Sequence, residues 1–377
     1  MLKGYKKLKQ QFVTVNWNKS WKEENQILNK LIEQRARYNS DSVYDSLFQF
    51  RAQTYNLSFF YKLLLWVISF FGFFVLLVKY AFAKRELNVD SYDVAYFYSD
   101  TIFSDSLKRD KKLVFIKPND GKLLPNDIIF LLKTAFKIKF NFSLLSIALF
   151  RVAQVRYAVN KYNTKDIWVN MEYSASSGIV KRFCHENGLV ISNFMHGEKV
   201  LSLRDAFCSF DKMYVWSERY REIFLTLQCK SEICISNPWL ERQINLSLFK
   251  PNSICYFLKG IESDVEIMIL RELFTQLEKL GFSIELKDHP RQNNTSAKLD
   301  EYKVIDNKTD LFEIFSKYEF IMAQFSTVLT QAWHLGCKII VDDLSNKDLV
   351  FKLMERKYIF SLERENAVLL STFIDSN

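Results

Sequence analysis

Two stretches of this 377-residue chain carry groups suited to phosphate chemistry. Phe282–Leu286 alternates apolar and polar residues, the pattern of a strand with one better-buried face, and Lys287-Asp288-His289-Pro290-Arg291 follows it. Pro290 disfavours a helical residue before it, so His289 is expected in an extended backbone at the strand's carboxyl end, with Lys287 and Arg291 close by. Further along, Phe320–Phe325 reads as a buried strand, followed by Ser326-Thr327 and the apolar helical run Val328–Leu335, which Gly336 ends. Hydroxyls at a helix start cap its free N–H groups, and such a start binds phosphate. Lys259-Gly260, after the strand Ser253–Leu258, adds a turn where backbone can approach a phosphate. In open α/β sheets ligands collect at the carboxyl ends of strands, and all three stretches end there. Each also has a plain structural use, as a turn or a cap.

A second set of groups suits proton transfer. Ile167–Met171 reads as a buried strand ending at Glu172, and Leu189–Phe194 as a strand ending in Met195-His196-Gly197-Glu198-Lys199. An imidazole titrates near neutral pH, so His196 is suited to taking a proton from an acceptor hydroxyl. Glu172 either orients that ring or is itself the base. Gly197 permits close approaches that a side chain forbids. Glu198, Lys199 and Arg204 are candidates for holding an anionic acceptor, or are simply solvated. The structural alternative for this stretch is a polar turn with a capping carboxylate.

The His-Pro pair after a strand, then Ser-Thr opening a helix with the tail Leu329-Thr330-Gln331-Ala332-Trp333-His334-Leu335-Gly336, resembles the donor-binding half of bacterial GT-B glycosyltransferases. The similarity runs from about Asp93 to Phe360 and points to the sialyltransferases, polysialyltransferases and capsule transferases that use CMP-sugars, and to the CDP-glycerol transferases of teichoic acid synthesis. That resemblance implies that His289, Ser326 and Thr327 hold the nucleotide phosphate, helped by Lys259, Gly260, Pro290 and Arg291. Met195-His196-Gly197-Glu198 is similar to the His-Gly segment of the teichoic acid transferases, where the histidine is a candidate base. The sialyltransferases use an acidic pair before glycine; Asn119-Asp120-Gly121 departs from it at the first position and also reads as a turn after Lys117-Pro118.

Composition narrows the partners. Hydrophobic residues make up 49% and charged residues 25%, which is globular, and the net charge of +9 suits a nucleotide-sugar, an acidic glycan or an anionic membrane surface. No motif supports nucleic acid. The six cysteines show no CxxC pair and no metal spacing, so they are expected as free, mostly buried thiols. No Asp-x-Asp element is present, Asp342-Asp343 being adjacent; the reading requires neither metal nor cofactor. His185 and His334 fall inside helical runs and are expected to be structural.

The elements that must position these groups fall into three regions. Residues 1–88 are expected to be helical: Trp21–Arg37 and the run around Val43, Leu47 and Phe50 have helical spacing, and no cleavable signal peptide is expected. Leu63–Val78 carries no charge and extends to about 57–83 if Lys62 and Lys79 snorkel, which suits membrane insertion, in the interface plane or across it. Residues 89–240 and 241–377 then alternate short β-like runs with helical ones. That alternation argues two Rossmann-like α/β domains in a GT-B architecture, the first for the acceptor and the second for the donor. The expected enzyme transfers a sugar, from a CMP-sugar before other donors, to a surface polysaccharide or lipid-linked glycan on the cytoplasmic face of the plasma membrane. Alternatives are a glycerol- or ribitol-phosphate transferase with a CDP donor, a nucleotide-sugar 2-epimerase, and a non-catalytic scaffold of envelope assembly.

Overall fold

Short apolar runs bounded by glycine and polar turns become strands, and among the described residues the strands of both sheets pair in parallel. The computed structural model describes residues 19–83, 90–242, 244–289, 295–358 and 366–376. β1 (Val94–Tyr96), β2 (Leu113–Phe115), β3 (Asp166–Val169), β4 (Val190–Phe194), β5 (Lys212–Val215) and β6 (Glu232–Ile235) form one six-stranded sheet in the order β2-β1-β3-β4-β5-β6. β7 (Lys250–Phe257), β8 (Ser283–Lys287), β9 (Lys303–Ile305), β10 (Tyr318–Ala323), β11 (Lys338–Val341) and β12 (Ala367–Leu369) form another, in the order β12-β11-β10-β7-β8-β9. Parallel neighbours need crossovers, and helices supply most of them. Two parallel six-stranded sheets with helices make a two-domain α/β fold.

The strand orders locate the ligand edges. In the first sheet the chain runs from β1 outward to β2, then returns to β3 on the other side. In the second it runs β7-β8-β9 one way and β10-β11-β12 the other. The order reverses between β1 and β3, and between β7 and β10. At such reversals the loops diverge and leave a crevice at the carboxyl ends of the strands.

The chain divides into two compact units, Met1–His196 with Leu201–Pro238, and Gly197–Val200 with Trp239–Asn377. Gly197, Glu198 and Lys199, expected in the first half, therefore pack with the second. In the first unit Val94, Phe103, Trp168 and Phe194 share a core; in the second Ile254, Tyr256, Leu270, Phe274, Leu286 and Met322 do. Full burial of such side chains contributes about 1.5–3 kcal/mol each.

The N-terminal helices belong to the first unit rather than forming a separate region. Helix Ser42–Thr54 lies against helix Ser177–Glu186, and the reason is Gly178. A Cβ there would stand 2.0 Å from the Ser42 carbonyl oxygen, so only glycine allows the approach. The Ser42 hydroxyl donates to the Gly178 carbonyl at 2.7 Å, the Ile179 N–H to the Ser46 hydroxyl at 2.9 Å, and Gln49 Nε2 to the Glu172 carbonyl at 2.7 Å.

Among the described residues, two helices are long and apolar enough to cross a membrane, Phe59–Ala81 and Phe142–Tyr162. The second is largely a core helix, with Leu144, Ala148, Leu149 and Val152 fully buried. The first packs along it through Phe70, Phe73 and Phe74 around Phe142, and buries only Phe73 and Tyr80. Its outer face stays open, with Phe71 64%, Val75 68% and Val78 57% exposed. Tyr80 covers Gly121, whose added Cβ would meet the ring at 2.4 Å. Asn119-Asp120-Gly121 is thus a turn, closed by the Asp120 N–H donating to the Lys117 carbonyl at 3.0 Å.

Candidate functional site

In the second unit, three neighbouring strands deliver the expected phosphate-binding groups to one sheet edge. β8 leads to Lys287-Asp288 and then His289, which is exposed. β7, the next strand, leads to Lys259 and Gly260; Gly260 has φ +81°, a left-handed conformation that favours glycine. β10, beyond it, leads to Gln324, Phe325 and Ser326. His289 and the Ser326 helix start are thus two strands apart with Lys259-Gly260 between them, at the point of order reversal. Pro290 and Arg291 lie outside the described residues.

Ser326 is the N-cap of helix Thr327–His334, its hydroxyl accepting from the Val328 N–H at 3.2 Å. Thr327 has another use. Its hydroxyl accepts from the Glu198 N–H at 3.2 Å, and Thr330 donates to the Glu198 carboxylate. Gly197 lies beside it; a Cβ there would be 3.3 Å from the Thr327 hydroxyl. Gly197 and Glu198 therefore fasten their segment to the helix start. Lys199 is buried as well.

Lys259 is held by residues that sequence reading passed over. Its Nζ donates to Gln324 Oε1 at 2.9 Å and to the Glu266 carboxylate, and its N–H donates to Glu262 Oε1 at 2.5 Å. Glu266 also accepts from the Ser263 N–H at 2.8 Å and from Asn346 Nδ2 at 2.9 Å. Burial works against its charge, but Lys259, the Ser263 backbone and Asn346 outweigh it and hold its pKa at about 2. Ser263 and Glu266 form a capping box at the start of helix Asp264–Lys279, which sets Glu266 beside Lys259. Gln324 continues the network to Ser345, which donates to Asp342, the acceptor for the Tyr256 hydroxyl at 2.7 Å. Asp343 accepts from the Ser371 N–H at 2.9 Å, so both adjacent aspartates fasten loops.

In the first unit, β3 and β4 are neighbours and bring Glu172 and His196 together. His196 Nδ1 lies 2.8 Å from Glu172 Oε1. The two side chains differ in access: that of His196 is 29% exposed, that of Glu172 not at all. Glu172 is held in place by Asn193 Nδ2 at 3.3 Å, and Asn193 Oδ1 accepts from the Met171 N–H at 2.7 Å. Tyr173 packs against the imidazole at 5.4 Å between ring centroids. Burial, then Tyr98 and Glu172, raise the Tyr173 pKa, keeping the phenol neutral. Tyr98, just past β1, accepts from the Arg151 guanidinium. Tyr98, Tyr173 and Arg151 were not foreseen as neighbours of this edge; the crossover from β1 to β3 brings them there. Arg204 is no solvated cation. Burial opposes its charge, but Asp205, bound through two hydrogen bonds of 2.9 Å, raises its pKa.

The two other histidines lie away from these sheet edges. His185 Nε2 contacts Asp211 Oδ1 at 2.5 Å on the surface, and His334 is buried beside Trp333. All six cysteines are free thiols, and all but Cys234 are buried; burial pushes the Cys337 thiol up to about 12. Among the described residues no cluster of three or more His, Cys, Asp and Glu is placed to hold a metal ion.

No protein-family model matches the chain, and no curated protein matches it in sequence. Among solved structures it is similar to a UDP-GlcNAc 2-epimerase from Methanocaldococcus jannaschii in complex with UDP-GlcNAc and UDP, at 12% identity over 75% of this chain and 91% of that one, with a TM-score of 0.46. It is similar to the wall teichoic acid polymerase TagF with CDPG at 12% identity, covering 78% and 80%, with a TM-score of 0.41. An α/β-galactoside α-2,3-sialyltransferase from Photobacterium phosphoreum is similar at 10% identity, covering 76% and 100%, with a TM-score of 0.34.

Proposed function

We propose that this chain is a metal-independent glycosyltransferase that binds a nucleotide-sugar, a CMP-sugar before others, at the carboxyl edge of its second sheet. It passes the sugar to a surface-polysaccharide or lipid-linked acceptor at the cytoplasmic face of the plasma membrane. The observation that carries this reading is the convergence of His289, Lys259-Gly260 and the Ser326-capped helix start on three adjacent strands at the order reversal. The exposed His289 imidazole, the Lys259 ammonium that Glu266 and Gln324 hold in place, a glycine turn and a helix start are groups that suit a phosphate. They stabilise the charge that develops on the departing nucleotide, with no covalent intermediate.

In the first unit, His196 is the base and Glu172 its positioning residue, because only the imidazole reaches solvent. Glu172 at Nδ1 orients the ring and stabilises the imidazolium, leaving Nε2 to take the acceptor proton. Glu198, assigned with Lys199 and Arg204 to acceptor binding from sequence, acts instead through helix Thr327–His334.

Titration with free CMP, CDP and UDP by calorimetry tests the donor site. One of them should bind, and His289→Ala should weaken it by about one to two orders of magnitude, the loss of one charge-assisted hydrogen bond. His185→Ala should bind as the unaltered protein does. If none of the three nucleotides binds, or His289→Ala binds them equally well, the donor assignment fails and a non-catalytic scaffold takes its place.

A further inference from the structure

A cleft of about 640 Å³ opens in the first unit, far along the chain from the sheet-edge groups. It lies between helices Trp21–Arg35 and Ser42–Thr54, the start of helix Phe59–Ala81, and the turn at 138–141. That volume is in the range of small-molecule sites. Its walls are apolar, with Leu31, Leu47, Phe50 and Trp66 among them, yet four cations line it: Lys30, Arg51, Lys62 and Lys139. No Asp or Glu is among its lining residues, and none of the four cations joins an ion pair among the described residues.

A cleft with apolar walls, four cations and no carboxylate among its lining residues suits an anion with an apolar body. We infer that this cleft binds the headgroup of a phosphate-bearing lipid, with the lipid's chains lying on the apolar surface beside it.

Three further observations support the assignment. The turn that contributes Lys139 holds two successive residues, Lys139 and Phe140, at φ +53°, a conformation that side chains disfavour by about 1–2 kcal/mol each. Trp66 of the apolar helix clamps it, its Nε1 donating to the Phe140 carbonyl at 3.2 Å. Local strain of this kind gathers at ligand clamps.

The surface around the cleft is apolar. Phe59 and Phe60 are 82% and 68% exposed at the helix start. On helix Pro125–Lys137, Ile129, Leu132 and Phe136 form an exposed stripe that reaches Phe140, with 4.9 Å between the Phe136 and Phe140 ring centroids. Basic pockets beside membrane-facing helices are the usual receptors for lipid phosphates.

The inference rests on the reading that helix Phe59–Ala81 meets a bilayer, but water-soluble lipids test it without one. The full chain is titrated with dioctanoyl phosphatidic acid, geranyl phosphate and dioctanoyl phosphatidylcholine, each below its micellar concentration. At least one of the two monoanionic-to-dianionic phosphates should bind, and the zwitterion should bind much more weakly. Preference for the diacyl lipid identifies a bilayer phospholipid, and preference for geranyl phosphate a polyisoprenyl carrier.

The triple variant Lys30→Gln, Lys62→Gln, Lys139→Gln changes three exposed side chains and none of the buried ones, so it should fold. Binding should fall about 100-fold, roughly fivefold for each cation. Equal binding of the zwitterion, or a triple variant that binds as the unaltered chain does, overturns the inference. Sedimentation with phosphatidylcholine vesicles reads the apolar helix separately: the triple variant should still partition onto them. If neither protein does, the bilayer reading fails, while the soluble-lipid result stands by itself.

Discussion

In the proposed reading the partly buried His196 takes the proton and the fully buried Glu172 positions it. Replacing His196 with alanine should lower turnover by about 10²–10⁴-fold, the usual loss of a general base, with nucleotide affinity unchanged. Glu172→Gln keeps the shape of the orienting side chain and removes its charge, so it should lower turnover less and shift the pH–rate profile. If Glu172→Gln abolishes turnover while His196→Ala stays active, the base role belongs to Glu172.

Glu266 yields a prediction in stability. Its folded pKa of about 2 lies below its ordinary 4.5, so the folded state favours the carboxylate. The contribution is complete above pH 4.5 and is lost as pH falls from there towards 2; its full size is about 3 kcal/mol. Urea unfolding of the unaltered chain and of Glu266→Gln should therefore differ most near neutral pH and converge in acid. A gap that does not change between pH 6 and pH 3 would show that Glu266 is not held by its charge.

Helix Phe59–Ala81 presents two unlike faces. Phe70 and Phe74 pack against Phe142, so substituting them disturbs the first unit itself. Phe71, Val75 and Val78 face outward. Phe71→Ser, Val75→Ser and Val78→Ser together should release the protein from membranes into the soluble fraction and leave its melting temperature close to normal. An unaltered protein that is already soluble without lipid or detergent would end the membrane reading.

The same helix shows what the sequence makes legible. Its uncharged run Leu63–Val78 and the strand ends downstream could be read because each depends on local pattern. Gly336 ends its helical segment at φ +85°, as its position implied. Other elements hid. Helix Glu218–Thr226 buries Tyr220, Ile223 and Phe224, but Glu218, Arg219, Arg221 and Glu222 break up the apolar signal. β12 is three residues long, too short for a period to show. The docking of helix Ser42–Thr54 depends on Gly178, far along the chain, and the partners of Lys259 include Gln324; neither pairing leaves a local trace. The site followed the same rule. The strand-end residues could be read, while the transfer of Gly197–Val200 to the second unit could not.

At the scale of the whole chain, a net charge of +9 draws anions everywhere, so a nucleotide binding weakly to many lysines would mimic a specific site in a simple assay. Location separates the two. The first sheet has its own order reversal, between β1 and β3, where Tyr98, Glu172 and Tyr173 gather, so the fold offers two candidate crevices rather than one. The second carries the exposed His289, the Lys259 ammonium and a helix start for a phosphate, whereas at the first the Arg151 guanidinium is bound to Tyr98. Amide hydrogen exchange with saturating nucleotide should therefore slow at 258–260, at 289 and at 324–328, and stay unchanged at 97–98, 171–173 and 195–196. At a free concentration of one hundred times Kd, binding stabilises the state that binds by about 2.7 kcal/mol, enough to register in those amides. High salt should weaken binding without moving the protected segments. Protection confined to the first sheet's edge would reverse the assignment of the two units, and protection spread evenly over exposed lysines would mean that charge alone attracts the nucleotide.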